Sequence, residues 1–309
     1  MLNLHDIAGG IALGLTFASA AHAQSQSPAP TSLEPKLVGD GIISTARNET
    51  FPAIDPRDGS LWYSSYDQDF DRQVIMRAAR SAARSGARWD TPTPVPFINE
   101  GEWGGRAPRF SPDGTRLYFT SGRPTAENFP ARDMNLWMVE RNAKGEWGTP
   151  VPLNGINGPT RDMHSSETKA GDLYFGSGRP GGLGRSDIWR AKRSAAGWSA
   201  PQHLPGPIND AQSQPDLFVS PDGTWMILVV TNHPQGLGGD DLFLSTIENG
   251  AWSIPRHLPA PINSPSYEYG PSLSPDGKTF YFTSGRRGNE DLYELPVSAL
   301  GLPAPRTNR

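Results

Sequence analysis

The chain has 309 residues, of which 36% are hydrophobic and 19% charged, and its net charge is −4. That balance leaves no basic footprint for nucleic acid, and the absence of cysteine excludes disulfides, thiol catalysis and cysteine–zinc sites. The 34 glycines, 31 prolines and nine tryptophans indicate many short strands joined by tight turns, an all-β composition.

In chain order, the first feature is the small, apolar run IAGGIALGLTFASAA at 7–21, followed by Ala21-His22-Ala23. This reads as an export signal over residues 1–23 cleaved before Gln24, although Met1 to Asp6 supplies no Lys or Arg. The run is too short for a comfortable bilayer span. The mature chain is therefore expected in the periplasm or outside the cell, with no stable membrane span. Residues 24–31, QSQSPAPT, read as a flexible linker.

From there the sequence repeats itself. Ser111-Pro112-Asp113-Gly114 precedes LYFTSGRP, Ser220-Pro221-Asp222-Gly223 precedes ILVVTNHP, and Ser274-Pro275-Asp276-Gly277 precedes FYFTSGRR. Degenerate copies at 55–59 and 169–172 precede LWYSS and LYFGSGRP. Anchored on Trp62, Tyr118, Tyr174, Leu228 and Tyr281, the units are 56, 56, 54 and 53 residues apart. Each contains a short apolar strand, a Pro-Asp-Gly hairpin turn, an alternating strand such as LYFTS, a Gly/Pro-rich loop and a third strand such as NLWMVER at 135–141. A fourth, edge-like strand carries Trp and Pro three apart, at Trp89/Pro92, Trp147/Pro150, Trp198/Pro201 and Trp252/Pro255. Four strands per unit make a propeller blade. The fifth unit stops after its third strand, near Ser298, so the segment at 31–40 is expected to complete it and close the ring. The prediction is one five-bladed β-propeller over 32–305 and a tail at 306–309.

The three Ser-Pro-Asp-Gly units, LYFTSGR, the stretch PGGLGRSDIW at 180–189 and endings such as WSIPRHLPAPIN at 252–263 resemble the WD40-like β-propeller repeats of the TolB type. The resemblance covers roughly residues 32–300. It implies a bacterial, envelope-associated binding platform, with a protein, peptide or envelope glycan as partner.

A residue repeated in every blade serves folding, whereas one that differs between blades can build a site. Asp113, Asp222 and Asp276 belong to the first kind, as turn carboxylates. Arg123, Arg179 and Arg286, with Asp187, Asp241 and Asp291, are expected to pair within blades. Trp89, Trp147, Trp198 and Trp252 are expected between blades. The second kind precedes each innermost strand. There Arg47, Glu49, Trp103, Arg106, Arg161, Asp162, His164, Gln214, Tyr267, Glu268 and Tyr269 form a candidate ring at one channel mouth. No Gly-x-Ser-x-Gly elbow, histidine cluster or cofactor motif is present, so no catalytic residue, metal or cofactor is assigned and a monomeric binding scaffold is expected. The alternative is a glycoside-hydrolase-like enzyme using Glu49, Asp162 and Glu268 as its carboxylates.

Overall fold

The computed structural model describes residues 34–66, 73–82, 88–99, 103–125 and 134–302. The export signal, the linker and the tail lie outside them.

Five antiparallel sheets stand around one axis. The innermost strands are Asn48–Ile54, Arg106–Phe110, Asp162–Glu167, Ser213–Val219 and Glu268–Leu273. Each turns through its Pro-Asp-Gly hairpin, or the degenerate form of it, into a second strand, at Leu61–Tyr66, Arg116–Ser121, Asp172–Ser177, Trp225–Thr231 and Thr279–Ser284. Third strands follow at Val74–Ala78, Asn135–Glu140, Asp187–Ser194, Asp240–Glu248 and Asp291–Pro296. The hairpin aspartates act as expected: Asp113 Oδ1 accepts from Thr115 N at 3.0 Å and from Ser111 Oγ at 2.6 Å. These bonds hold its carboxyl down at about 2.

The outer edge differs from a single Trp-x-x-Pro strand. The tryptophan sits in a small ladder or bridge against the end of the third strand, as in Arg193↔Trp198 and Ile247↔Trp252. The chain then breaks near the proline, which has no N–H to give. It re-pairs over only two residues, at Thr93–Pro94, Val151–Pro152, Gln202–His203 and Arg256–His257. Just beyond, a buried or half-buried asparagine takes over the pairing. Asn157 Oδ1 accepts from Leu136 N at 2.8 Å while its Nδ2 donates to Leu136 O at 3.0 Å. Asn99, Asn209 and Asn263 grip Ile75, Ile188 and Leu242 in the same way. The Ile-Asn endings of the repeat are therefore side-chain substitutes for a longer edge strand.

Alternation along the second strands places a hydrophobic core between every two blades. Leu117 and Phe119 pack with Trp62 and Ile75 of blade one, whereas Tyr118 faces Leu173 and Phe175 of blade three. The outer-edge tryptophans seal these seams: Trp147 meets Trp62 edge-on at 6.1 Å and Trp252 meets Tyr174 at 6.4 Å.

Blade five is closed from the other end of the described chain. Lys36 and Leu37 pair with Glu294 and Tyr293, and Val38 N donates to Leu292 O at 2.9 Å. Val38, Ile43 and Trp89 join Tyr281 and Leu292 in the last seam. Arg88 fastens it, with Nη1 on Glu294 at 2.6 Å and Nη2 on Tyr281 Oη at 2.7 Å. Because Val38 is buried at this closure, Val38→Asp would place an unpaired carboxylate in it. A loss of about 3 kcal/mol or more is expected, read as a lower urea midpoint.

Candidate functional site

The residues singled out before the inner strands divide into three groups. Glu49, Asp162, Gln214 and Glu268 hold equivalent positions and are buried. Their side chains turn back into their own loops. Glu49 accepts from Thr45 N at 3.0 Å and Thr45 Oγ1 at 2.7 Å. Asp162 accepts from Gly158 N and from Arg179 Nη2, both at 2.6 Å. Glu268 takes Ser264 N at 2.8 Å, Ser264 Oγ and Ser284 Oγ at 2.6 Å, and Arg286 at 3.4 Å. Gln214 Nε2 donates to Asp210 Oδ1 at 2.7 Å. Each latch folds a short loop onto the strand that follows.

These latches also correct the expected Arg–Asp lock. Arg179 and Arg286 pair with the inner-strand carboxylates Asp162 and Glu268. Asp187 and Asp241 instead accept loop N–H groups, from Leu183 at 2.5 Å and from Leu237 at 2.6 Å. The glycine-rich loops are thus tied by their own aspartates.

Arg47, Arg161 and Tyr267 form the second group. They are exposed at the mouth, Tyr267 by 54%, and Trp103 beside them is half-buried.

Arg106, His164 and Tyr269 form the third group and converge on the axis. A β-bulge interrupts every inner strand, between Thr50/Ala53, Arg106/Arg109, Met163/Ser166, Ser213/Asp216 and Tyr269/Ser272. Phe51, Ala107, His164 and Gly270 sit at the bulges with φ of 55°, 52°, 53° and 62°, a left-handed geometry that costs a non-glycine residue energy. The bulge turns side chains inward. The His164 ring stacks on Phe51 at 4.7 Å and 20°, and Phe51 meets Tyr269 at 5.1 Å. Arg106 Nη2 reaches Met163 Sδ at 3.2 Å. Burial, with Arg106 and Arg109 nearby, holds the His164 imidazole well below its usual range, so it is neutral at pH 7. Burial and the Asp240 charge push the Tyr269 phenol upward.

Three residues of the inner strands carry no mark in the sequence: Phe51, Arg109 and Asp216. All three lie within the inner strands, where period-two alternation assigns them an ordinary place. At successive bulge positions the blades read Phe51, Ala107, His164, Asp216, Gly270 and Ala53, Arg109, Ser166, Phe218, Ser272. Asp216 is buried and accepts from Leu217 N and Gly270 N, both at 2.7 Å, which ties blade four to blade five. Burial, opposed by Arg109 and those two bonds, raises its carboxyl to about 6. Among the described residues, no cluster of three or more His, Asp and Glu could hold a metal ion.

No family model matches this chain, and no curated protein does either. Solved structures do. A thermostable family-43 glycoside hydrolase superposes with a TM-score of 0.52 at 10% identity, covering 83% of this chain and 91% of that one. An α-L-arabinofuranosidase from Lactobacillus brevis gives 0.51 at 15%, covering 83% and 92%. A putative TolB from Agrobacterium tumefaciens gives 0.47 at 15%, covering 78% and 71%. At these identities the likeness is one of fold.

The latches make a stability prediction. Glu268→Gln removes the charge that faces Arg286 and puts an NH2 donor where one of two buried acceptor oxygens stood, and is expected to cost about 2–3 kcal/mol in denaturant unfolding. Asp216 makes a pH prediction. Its folded pKa lies above the ordinary 3.8, so between those values the native state binds a proton that the unfolded state does not. This contribution is gained as pH falls through 6 and lost as pH rises. Asp216→Asn should lower stability at every pH yet remove roughly 1 kcal/mol of the gain between pH 7 and pH 5. Unfolding curves at the two pH values test this, and an unchanged difference would refute it.

Proposed function

We propose that this chain is a non-catalytic binding propeller of the bacterial cell envelope, belonging with the WD40-like, TolB-type repeat proteins. It takes a protein, peptide or envelope glycan at the mouth where the inner strands begin. The observation that carries this reading is the state of the mouth carboxylates. Glu49, Asp162 and Glu268 are each engaged by N–H or O–H donors of their own loops, and Asp162 and Glu268 by arginines as well. A two-carboxylate hydrolysis needs one acid to give its proton to a leaving group and another to serve as base or nucleophile. The latches give these carboxylates a structural role, which supports the binding reading.

The mouth does offer a surface for contact. Exposed Tyr267, Arg47 and Arg161, with half-buried Trp103, are of the types that anchor partners, since they combine large area with few rotamers and directional donors. Phe51, His164 and Tyr269 floor the mouth with an aromatic stack. Export rests on the apolar run at 7–21 and its Ala-His-Ala boundary. Among the described residues, no helix is long and apolar enough to cross a membrane. The second reading, a glycan-processing enzyme using Glu49, Asp162 and Glu268, draws on the fold shared with glycoside hydrolases and would need these carboxylates released from their loop donors.

The test is a crosslinking capture from cell-envelope extract and an array of envelope glycans, using the chain from Gln24 onward. A Tyr267→Ala, Arg161→Glu double variant is run beside it. These side chains are exposed, so the fold is expected to survive, as checked by circular dichroism. Loss of the captured ligand by about tenfold or more supports the mouth. Equal capture by both proteins moves binding to the blade edges. Turnover of glycoside substrates by the unaltered chain would replace this reading with the second.

A further inference from the structure

The axis has a second end. On the face of the Pro-Asp-Gly hairpins, below the aromatic stack, all five blades line a funnel with a cavity of about 150 Å³. Its walls include Ile54, Val219, Leu273 and Phe218, and its polar groups include Arg109 and Ser272. Proline stands at the rim in four blades, at Pro56, Pro112, Pro221 and Pro275. Blade three departs from the pattern and presents exposed Lys169 instead.

Arg109 is the feature that needs an explanation. It is 6% exposed, and its Nη1 has no hydrogen-bond acceptor among the described residues. No carboxylate among them comes within ion-pair distance. The nearest attracting charge is Asp216, whose two oxygens already accept backbone N–H groups. Ser272 Oγ, in the same wall, is also buried without a partner. The Phe218 ring stands 6.0 Å from the guanidinium. The other blades place Ala53, Ser166, Phe218 and Ser272 at the position of Arg109, so the fold has no need of an arginine there. A buried, uncompensated cation destabilises a fold. One kept at a single blade, facing a cavity, marks where an anion sits.

We propose that this funnel is a binding site for a small apolar carboxylate, with the carboxylate on Arg109 and Ser272 and the hydrocarbon against Ile54, Val219, Phe218 and Leu273. A planar guanidinium matches a carboxylate in a two-pronged bond. A single buried cation falls short of the charge that a phosphate brings. The cavity is below the ~300 Å³ typical of drug-sized ligands, so the occupant is the size of a short branched acid or the last residue of a peptide with a free C-terminus. This site lies at the opposite end of the axis from the mouth and stands or falls apart from it.

Isothermal titration of the full exported chain with 4-methylpentanoate tests the proposal, with 4-methylpentanamide as the uncharged control. The acid is expected to bind saturably at millimolar concentration or below, and the amide at least about tenfold more weakly. Arg109→Met should abolish binding while the chain stays folded, as checked by circular dichroism, with any loss of melting temperature tracing to Asp216, which loses its nearest positive charge. Arg109→Lys, which keeps the charge and loses the fork, should bind with intermediate affinity. A peptide ending in leucine, with free or amidated terminus, identifies the source: preference for the free-ended peptide over the acid assigns a peptide terminus, and the reverse assigns a free acid. Equal binding of acid and amide, no binding of the acid or of the free-ended peptide by the folded chain, unaltered binding by Arg109→Met, or equal competition by inorganic phosphate would each overturn the proposal.

Discussion

Each of the five inner strands carries one residue more than its neighbour can pair, and the structure turns on where that residue goes. The bulge falls just inside the start of every inner strand, at Thr50/Ala53 in blade one and Tyr269/Ser272 in blade five. It bends the strand toward the axis and frees backbone N–H groups that the adjoining blade must accept. Phe51 N donates to Thr283 Oγ1, Ala107 N to Ser64 Oγ and Gly270 N to Asp216 Oδ2. The hydroxyl or carboxylate at those places therefore joins one blade to the next at the axis, while the hydrophobic seams join them farther out. The same bend throws Phe51, His164 and Tyr269 across the channel. Beyond that stack, toward the hairpins, lies a cavity lined by both apolar and polar side chains.

Most of the fold is legible in the sequence, for reasons that belong to particular residues. Hairpin turns require Asp and Gly at fixed places, so Asp113, Asp222 and Asp276 announce the blade period. Second strands serve two cores at once and must be apolar on both faces, so Leu117-Tyr118-Phe119 and Phe280-Tyr281-Phe282 stand out. Closure by Lys36–Leu37 followed from a fifth unit with no outer strand. The outer edge was less legible, because a side chain such as Asn157 can stand in for a strand and leaves no periodic pattern.

The site was read only in part. Glu49, Asp162 and Glu268 were rightly aligned as equivalents, but their equivalence was the clue to their role. A carboxylate needed in blade after blade, four residues after a Thr, Gly or Ser whose N–H it accepts, is there to fold a loop. The residues that do differ, His164, Asp216, Arg106 and Arg109, lie within the strands. Period-two alternation assigns them an ordinary inward or outward place, and the bulge resets that alternation without marking the sequence.

Closing a ring with the chain's own first strand has a consequence for how the protein is made. Arg88 and Glu294, or Phe51 and Thr283, are more than 200 residues apart. None of these contacts exists until the fifth blade has left the ribosome. Before the ring closes, the emerged chain is an open arc with two adhesive ends: the bare edge of blade five, and the apolar face of blade one around Ile54, Leu61 and Trp89. Those ends fit each other, and they fit equally well the ends of a second arc. Crowded chains would thus interlock head to tail, each lending its opening strand to another's last blade. The local concentration of a chain's own ends, rather than any difference in the contacts made, is what favours closure within one chain.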